Sequence, residues 1–261
     1  MKTIILCGGE GTRMKEETEF KPKPLVNVGG KPILWHIMKI YAHYGYNEFI
    51  LALGYKGDMI KEYFLNWRTF VNNFTLNTKN NEITFHNNDC DDFKITFVET
   101  GLKTLTGERV KLLKDYIGDE DFMVTYGDGI ADIEIDKLVA FHKEQNTIGT
   151  ITGVRKEGRF GLLNFDKETK KVKDFYQSNI VDDNKTVSQD LINGGFMVFK
   201  KEFLNYIKPD SMIEEAFDPL ALKGELSTFE HKGRWKCMDT YKEVEDMNQV
   251  WETDPFWKIW N

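Results

Sequence analysis

The sequence predicts a doubly wound α/β fold: a mostly parallel sheet with helices on both faces, continued by a smaller mixed β extension. Three observations lead there. Through the first half, short apolar runs of strand length alternate with longer amphipathic runs. Two strand-like runs stop at glycine-rich turns, GGEG (8–11) and GDG (127–129). From about residue 148 the strand-like runs come at shorter intervals. Strands alternating with helices favour parallel pairing, because a parallel neighbour is reached only through a long crossover.

Each element has its own justification. TIILC (3–7) and EFILAL (48–53) are short apolar runs bounded by turn residues and read as buried strands. Between them GGKPILWHIMKIYAHYG (29–45) reads as a helix. Pro32 suits its first turn, Ile33, Ile37, Ile40 or Tyr41, and Tyr44 share one face, and Gly45 suits its stop. A second helix is expected over 58–67, with Met59, Ile60, Tyr63, Phe64 and Trp67 on one side. Residues 68–92, rich in Asn and Asp, read as irregular, with EITFH (82–86) as an edge strand or hairpin. FKITFVE (93–99), the helix GERVKLLKDYI (107–117) and the strand DFMVTY (121–126) restore the alternation.

The later runs TITGV, LLNF, KVKDFY, GGFMVF and STFEH are expected to lay a second wall across the first sheet, with helices over 201–207, 213–223 and 240–251. The ending DPFWKIW is too apolar for a free tail and is expected to be docked or buried between copies. The arrangement is Rossmann-like, and in such sheets ligands gather at the carboxyl ends of the strands, where GGEG and GDG sit. The chain is read as one domain, about 1–147 forming the core and about 148–261 the extension and C-terminal part that complete the fold.

Composition narrows the classes. A hydrophobic fraction of 41% with 19 Phe, 10 Tyr and 6 Trp supports a packed interior, and a formal charge of −7 argues against a general nucleic-acid binder. Cys7, Cys90 and Cys237 lie far apart and form no CxxC pair, which fits a reducing, cytoplasmic setting and gives no thiolate metal site. No apolar run approaches the roughly 18 residues a membrane span needs, and no signal peptide is read. The five histidines show no HExxH and no nucleophile elbow, so they read as helix-packed or solvated.

GGEGTR (8–13) raises the question of an anion. It is neither a Walker A loop nor GxGxxG, and its glycines alone could be a tight turn. Thr12 and Arg13 shift the reading toward polyphosphate, because a guanidinium offers forked donors to phosphate oxygens. In KPKP (21–24) two prolines stiffen the backbone around Lys23, so a second cation is presented nearby from a constrained segment. Asp128 lies between two glycines after an apolar strand, while Asp239 in CMDT lies between a strand-like segment and a helix and could equally be that helix's cap. Asp132 is read as the cap of the helix that comes after it.

GGxGTR, a lysine before proline ten residues later, and GGKPILWHIM together resemble the sugar-1-phosphate nucleotidylyltransferases, most closely the glucose-1-phosphate cytidylyltransferases. GYKGDMIKEYF, LTGERVKLLKDYI, VTYGDGIADI, GRFG, INGGF and MDT stand in the order such proteins show, so the resemblance spans the chain. It implies a Mg²⁺-dependent attack of a sugar 1-phosphate on the α-phosphorus of CTP, giving a CDP-sugar and pyrophosphate. It implies that Leu6, Gly8, Gly9, Gly11, Thr12, Arg13 and Lys23 hold the triphosphate, and that Thr104, Gly107 and Arg109 meet the nucleoside. Gly161, Asn193, Gly194 and Gly195 are implied for the acceptor, so that about 1–147 would bind the nucleotide and about 148–261 the acceptor. Asp128 and Asp239 are implied as the metal ligands, with Arg13, Lys23 and Asp128 in catalytic roles. A homo-oligomer is implied as well. One departure stands out: Gln177, Ser178 and Asn179 occupy the place of the family's Glu-Lys-Pro, whose lysine binds the sugar phosphate, and Lys185 in the longer loop beyond is a candidate replacement. The same fold could instead use dTTP or UTP, take another phosphorylated acceptor, serve as a nucleotide-binding regulatory subunit, or be a metal-dependent glycosyltransferase.

Overall fold

The computed structural model describes residues 1–155, 162–166, 168–176 and 191–260. Nine strands form its main sheet: β1 (Thr3–Leu6), β2 (Glu48–Leu53), β3 (Lys94–Glu99), β4 (Phe122–Tyr126), β5 (Gly149–Arg155), β6 (Leu162–Phe165), β7 (Val172–Tyr176), β8 (Leu191–Phe199) and β9 (Leu226–Glu230). The principal helices are α1 (Ile33–His43), α2 (Gly57–Leu65), α3 (Thr106–Leu112), α4 (Ile135–Gln145) and α5 (Tyr241–Thr253). The strand order is β7-β6-β8-β4-β1-β2-β3, with β5 pairing both β8 and β9. β1 is parallel to β2 and β4, and β2 to β3; β8 runs antiparallel to β4, and only β7 and β8 oppose the common direction. The chain therefore moves outward from β1 through β2 to β3 and then returns to the other side of β1. That reversal opens a crevice at the carboxyl ends of β1 and β4.

The period-two alternation of the strands feeds two cores. Ile5, Leu51 and Met123 face α1, α4 and the C-terminal aromatics. Ile4, Leu6, Ile50 and Val124 face α3 and the segment from Phe203 to Leu220. On α1 the apolar positions Ile33, Leu34, Ile37, Met38, Ile40 and Tyr41 are fully buried, each contributing roughly 1.5–3 kcal/mol by leaving water. The C-terminal aromatics dock as one of the two expected outcomes: Trp257 is fully buried, and Trp35 meets Trp260 edge-on at 5.6 Å.

Several expectations change. The later strands do not form a second wall. β8 hydrogen-bonds directly to β4, so the extension continues the same sheet. Its edge is satisfied more completely by a ladder partner than by a crossing layer. The 58–67 helix stops at Leu65 and a separate turn of helix, Trp67–Val71, comes next, because Asn66 turns its side-chain amide back to the carbonyl of Glu62. In the 68–92 region, by contrast, the hairpin reading of EITFH holds, with Phe74–Asn77 paired to Glu82–Phe85. The 213–223 helix is a 3-10 turn, Ile213–Ala216, running into a short α-helix, Phe217–Leu222. Among the described residues no helix is long and apolar enough to cross a membrane.

Candidate active site

The crevice between β1 and β4 is a cleft of about 340 Å³, and the residues singled out for the triphosphate line it: Leu6, Gly8, Gly9, Gly11, Thr12, Arg13 and Lys23. After Leu6 the chain leaves the sheet through the glycines. Gly11 has φ +62°, where a side chain is strained, and its carbonyl accepts from Met14 N to close the turn. The amides of Gly8, Gly9 and Gly11 donate to no other described group, so three N–H dipoles remain for an anion.

Lys23 is fixed by its prolines as expected. Leu25 N donates to the carbonyl of Pro22 at 2.8 Å and Val26 N to that of Lys23 at 3.0 Å, a 3-10 turn that leaves the side chain one direction. Its ammonium lies 2.6 Å from Asp128 Oδ2 and 2.7 Å from Asp239 Oδ1. Arg13 Nη2 sits 2.9 Å from that same oxygen of Asp239. Burial alone would lower the Lys23 pKa, but the two carboxylates outweigh it and raise the value, so the amine stays charged.

The aspartates meet because a short ladder registers them. Trp235–Cys237 pairs antiparallel with Gly129–Ala131, Cys237 lies opposite Gly129, and Met238 N donates to the carbonyl of Asp128 at 2.9 Å. The sequence marks a strand-like segment before Asp239 but not its pairing with Gly129–Ala131, because three residues give too little periodicity to point to a partner. Capping of α5 falls to Thr240 and Glu243, which form a reciprocal capping box. Asp239 is thus not the cap, and it lines the cleft. Asp132 does not cap α4 either: Glu134 stands at that position, while Asp132 accepts from Arg234 N at 2.7 Å and faces His231 Nε2 at 3.0 Å. The backbone donor in the 231–234 turn and the imidazole nitrogen outcompete a helix end that Asp132 sits too early to reach.

The nucleoside loop is built differently from its reading. Arg109 borders the cleft, but it is buried and its guanidinium is committed to five oxygens: Leu53 O, Thr100 Oγ1 and Gly101 O through Nη1, Gly8 O and Leu102 O through Nη2. It ties together the segments that leave β1, β2 and β3. A Cβ on Gly8 would lie 2.3 Å from Arg109 Nη1, which explains the glycine. Gly107 is not in the cleft wall; it permits close packing, since a Cβ there would come within 2.8 Å of Ser211 O, and its amide already donates to that carbonyl. Thr104 does line the cleft, joined by Thr106, Met212 and Tyr126, which the sequence did not flag.

Asn193, Gly194 and Gly195 stand on β8 outside this lining. The Asn193 side chain accepts from Gly195 N at 2.9 Å, Gly194 O accepts from the Trp235 indole at 2.8 Å, and Gly195, at φ +81°, packs against the Tyr126 ring. The Tyr126 hydroxyl donates to Glu214. Gly161, Gln177, Ser178, Asn179 and Lys185 lie outside the described residues.

A donor set for a cation can be judged from these contacts. Two carboxylate oxygens from different segments converge on one positively charged atom, and no cluster of three or more His, Cys, Asp or Glu is present among the described residues. That pattern fits Mg²⁺, which takes one or two carboxylates and completes its shell with water and phosphate oxygens.

The sequence pattern of the family described as nucleotidyl transferase matches residues 2–250. The chain belongs to that family. It is 46% identical over 264 residues to the "Probable glucose-1-phosphate cytidylyltransferase" of Bacillus subtilis (strain 168), covering all of both chains. It is 40% identical, again over the whole of both, to the glucose-1-phosphate cytidylyltransferase of Salmonella typhi. The resemblance expected from the motifs is thus borne out. Among solved structures, UTP-bound UGPase from Acinetobacter baumannii shares the fold with a TM-score of 0.75 at 12% identity, over 96% of this chain and 92% of that one. In this nucleotidyl transferase Arg13, Lys23, Asp128 and Asp239 converge beside a glycine loop, at the strand ends where such a fold holds its ligand.

Proposed function

We propose that this nucleotidyl transferase transfers the cytidylyl group of CTP to glucose 1-phosphate, releasing pyrophosphate and forming CDP-glucose. The observation that carries the reading is the meeting of two cations and two carboxylates at the mouths of β1 and β4, against three glycine amides that donate to no described group. The choice of CTP and glucose 1-phosphate rests on the names of relatives that align with this chain from end to end.

Attack of the acceptor phosphate on the α-phosphorus asks for positioning and charge, not for a covalent nucleophile. The amides of Gly8, Gly9 and Gly11, with Thr12 and Arg13, hold the triphosphate tail. Lys23, kept charged, neutralises the nonbridging α-oxygens as the new bond forms. Asp128 and Asp239 would hold Mg²⁺, which supplies further neutralisation on phosphate oxygens. Arg109 serves by shaping the nucleoside loop, with Thr104 left to touch the nucleoside and Gly107 to pack the loop closely. Residues of about 148–261 receive the acceptor, through Gly161 and Asn193–Gly195 of β8, while Met212 and Asp239 reach back to the nucleotide side. CTP and sugar phosphates are cytoplasmic metabolites, so the activity belongs in the cytoplasm, and a homo-oligomer is the expected working form.

Pyrophosphate release measured with CTP, UTP, dTTP and GTP against glucose 1-phosphate and other sugar phosphates tests the reading. The expected result is fastest release with CTP and glucose 1-phosphate. No release with CTP and any acceptor would remove the proposal.

A further inference from the structure

Among the described residues, Lys23 and Arg13 bring two positive charges to Asp239, and Lys23 also meets Asp128. The two cations are not equivalent. The Arg13 side chain is 69% exposed and meets one carboxylate, so it can turn outward into water. The Lys23 side chain is 13% exposed, is anchored by Pro22 and Pro24, and reaches both carboxylates within hydrogen-bond distance. Its ammonium fills the space that any cation bridging the two aspartates would need. A divalent ion arriving alone must therefore displace a charged amine from both of its carboxylate partners, in a partly buried site where like charges are poorly screened. A triphosphate changes the balance. Its oxygens give the ammonium a new partner within the same cleft, and its negative charge offsets the cation that takes the vacated carboxylates.

We infer that Lys23 is a built-in counter-ion of the acidic pair, which makes divalent-cation binding and nucleotide binding depend on each other. The inference rests on the reading of Asp128 and Asp239 as cation ligands. Thermodynamic reciprocity then requires that a nucleotide tighten the cation by the same factor as the cation tightens the nucleotide.

Mn²⁺ is a suitable probe, monitored by loss of its free-ion electron paramagnetic resonance signal on titration with the full-length protein. Wild type is compared with Lys23→Met, Lys23→Gln, Asp128→Asn and the double variant Lys23→Met/Asp128→Asn, with circular dichroism verifying that each is folded. Without nucleotide, wild type should bind Mn²⁺ weakly, and either Lys23 variant should bind it on the order of tenfold more tightly or better. The double variant should fall back to weak binding. In calorimetry, saturating Mn²⁺ should tighten CTP binding to wild type by a larger factor than to Lys23→Met. If the Lys23 variants bind Mn²⁺ no more tightly than wild type while Asp128→Asn still weakens it, the counter-ion role is wrong and the cation site stands. If Asp128→Asn leaves Mn²⁺ binding unchanged in every background, the carboxylate pair is not the cation site, and the inference falls with the reading beneath it.

Discussion

The ring of His36 accepts a hydrogen bond at Nδ1 from the indole N–H of Trp257 at 3.2 Å, while its Nε2 lies 2.8 Å from the carbonyl of Val28. Only the neutral tautomer with hydrogen on Nε2 satisfies both contacts. Rings of Trp35 and Trp251 stand edge-on at 5.0 and 4.8 Å, completing an apolar enclosure.

Burial lowers the His36 pKa from 6.5 to about 4, with the Val28 and Lys31 backbone contacts opposing in part. A depressed value means the folded state resists the proton that the unfolded chain accepts. Stability from this group is full above pH 6.5 and is lost as pH falls toward about 4, by roughly 3 kcal/mol in all. Urea unfolding across that range should show the decline in wild type and a shallower one in His36→Gln. Equal slopes would contradict the assignment.

Glu214 titrates with the opposite sign. Burial raises its pKa from 4.5 although the hydrogen bond from Tyr126 opposes the rise, and its second oxygen is buried without a described partner. A raised value contributes stability below pH 4.5 that disappears as pH climbs through the folded-state value. Glu214→Gln, which keeps the shape and an acceptor for Tyr126, should gain on wild type as pH rises from about 4 to about 8. A stability difference that stays flat with pH would refute this.

Arg109 should matter for folding before it matters for substrate. Arg109→Met strands the five oxygens it now satisfies, at an expected cost of about 3 kcal/mol and a fall in Tm on the order of 10 °C. Arg109→Lys should recover little, because a single ammonium cannot reproduce the planar fork. A calorimetric Tm within a degree of wild type for Arg109→Met would show the brace to be dispensable.

Lys23→Ala, Asp128→Asn and Asp239→Asn should each lower kcat/KM by roughly 10²–10³ under Mg²⁺. Since the three side chains touch, their losses should combine well below the sum of the single effects. Arg13→Lys, at an exposed position, should cost only about tenfold. Steady-state kinetics on the single and double variants provide the comparison; fully additive losses would mean the groups act apart.

Much of the fold and of the site is legible in the sequence, and the reasons differ by element. β1, β2 and β4 declare themselves through short, unbroken apolar runs with clear stops, α1 through its apolar face, and Lys23 through its two prolines. Arg13, Lys23 and Asp128 can be paired because their loops extend from adjacent strands. Asp239 comes from resemblance, since the ladder that delivers it, Trp235–Cys237 on Gly129–Ala131, is too short to leave a pattern. Arg109 illustrates the other limit. An arginine in a Thr/Gly loop looks like a ligand contact from its neighbours in sequence, whereas carbonyls at the ends of three separate strands decide its role. Tyr126 and Met212 escape notice because apolar and aromatic residues at strand ends and turns carry no chemical signal until the fold brings them to a cleft.

Gly8 and Arg109 constrain each other over a hundred or so positions of chain. With the guanidinium in place, position 8 has no room for a methyl group, and with the guanidinium gone, the strand ends lose what binds them. Neither site can drift by single steps, so the pair should be inherited as a unit, and a lineage that abandons one member must rebuild the loop around the other.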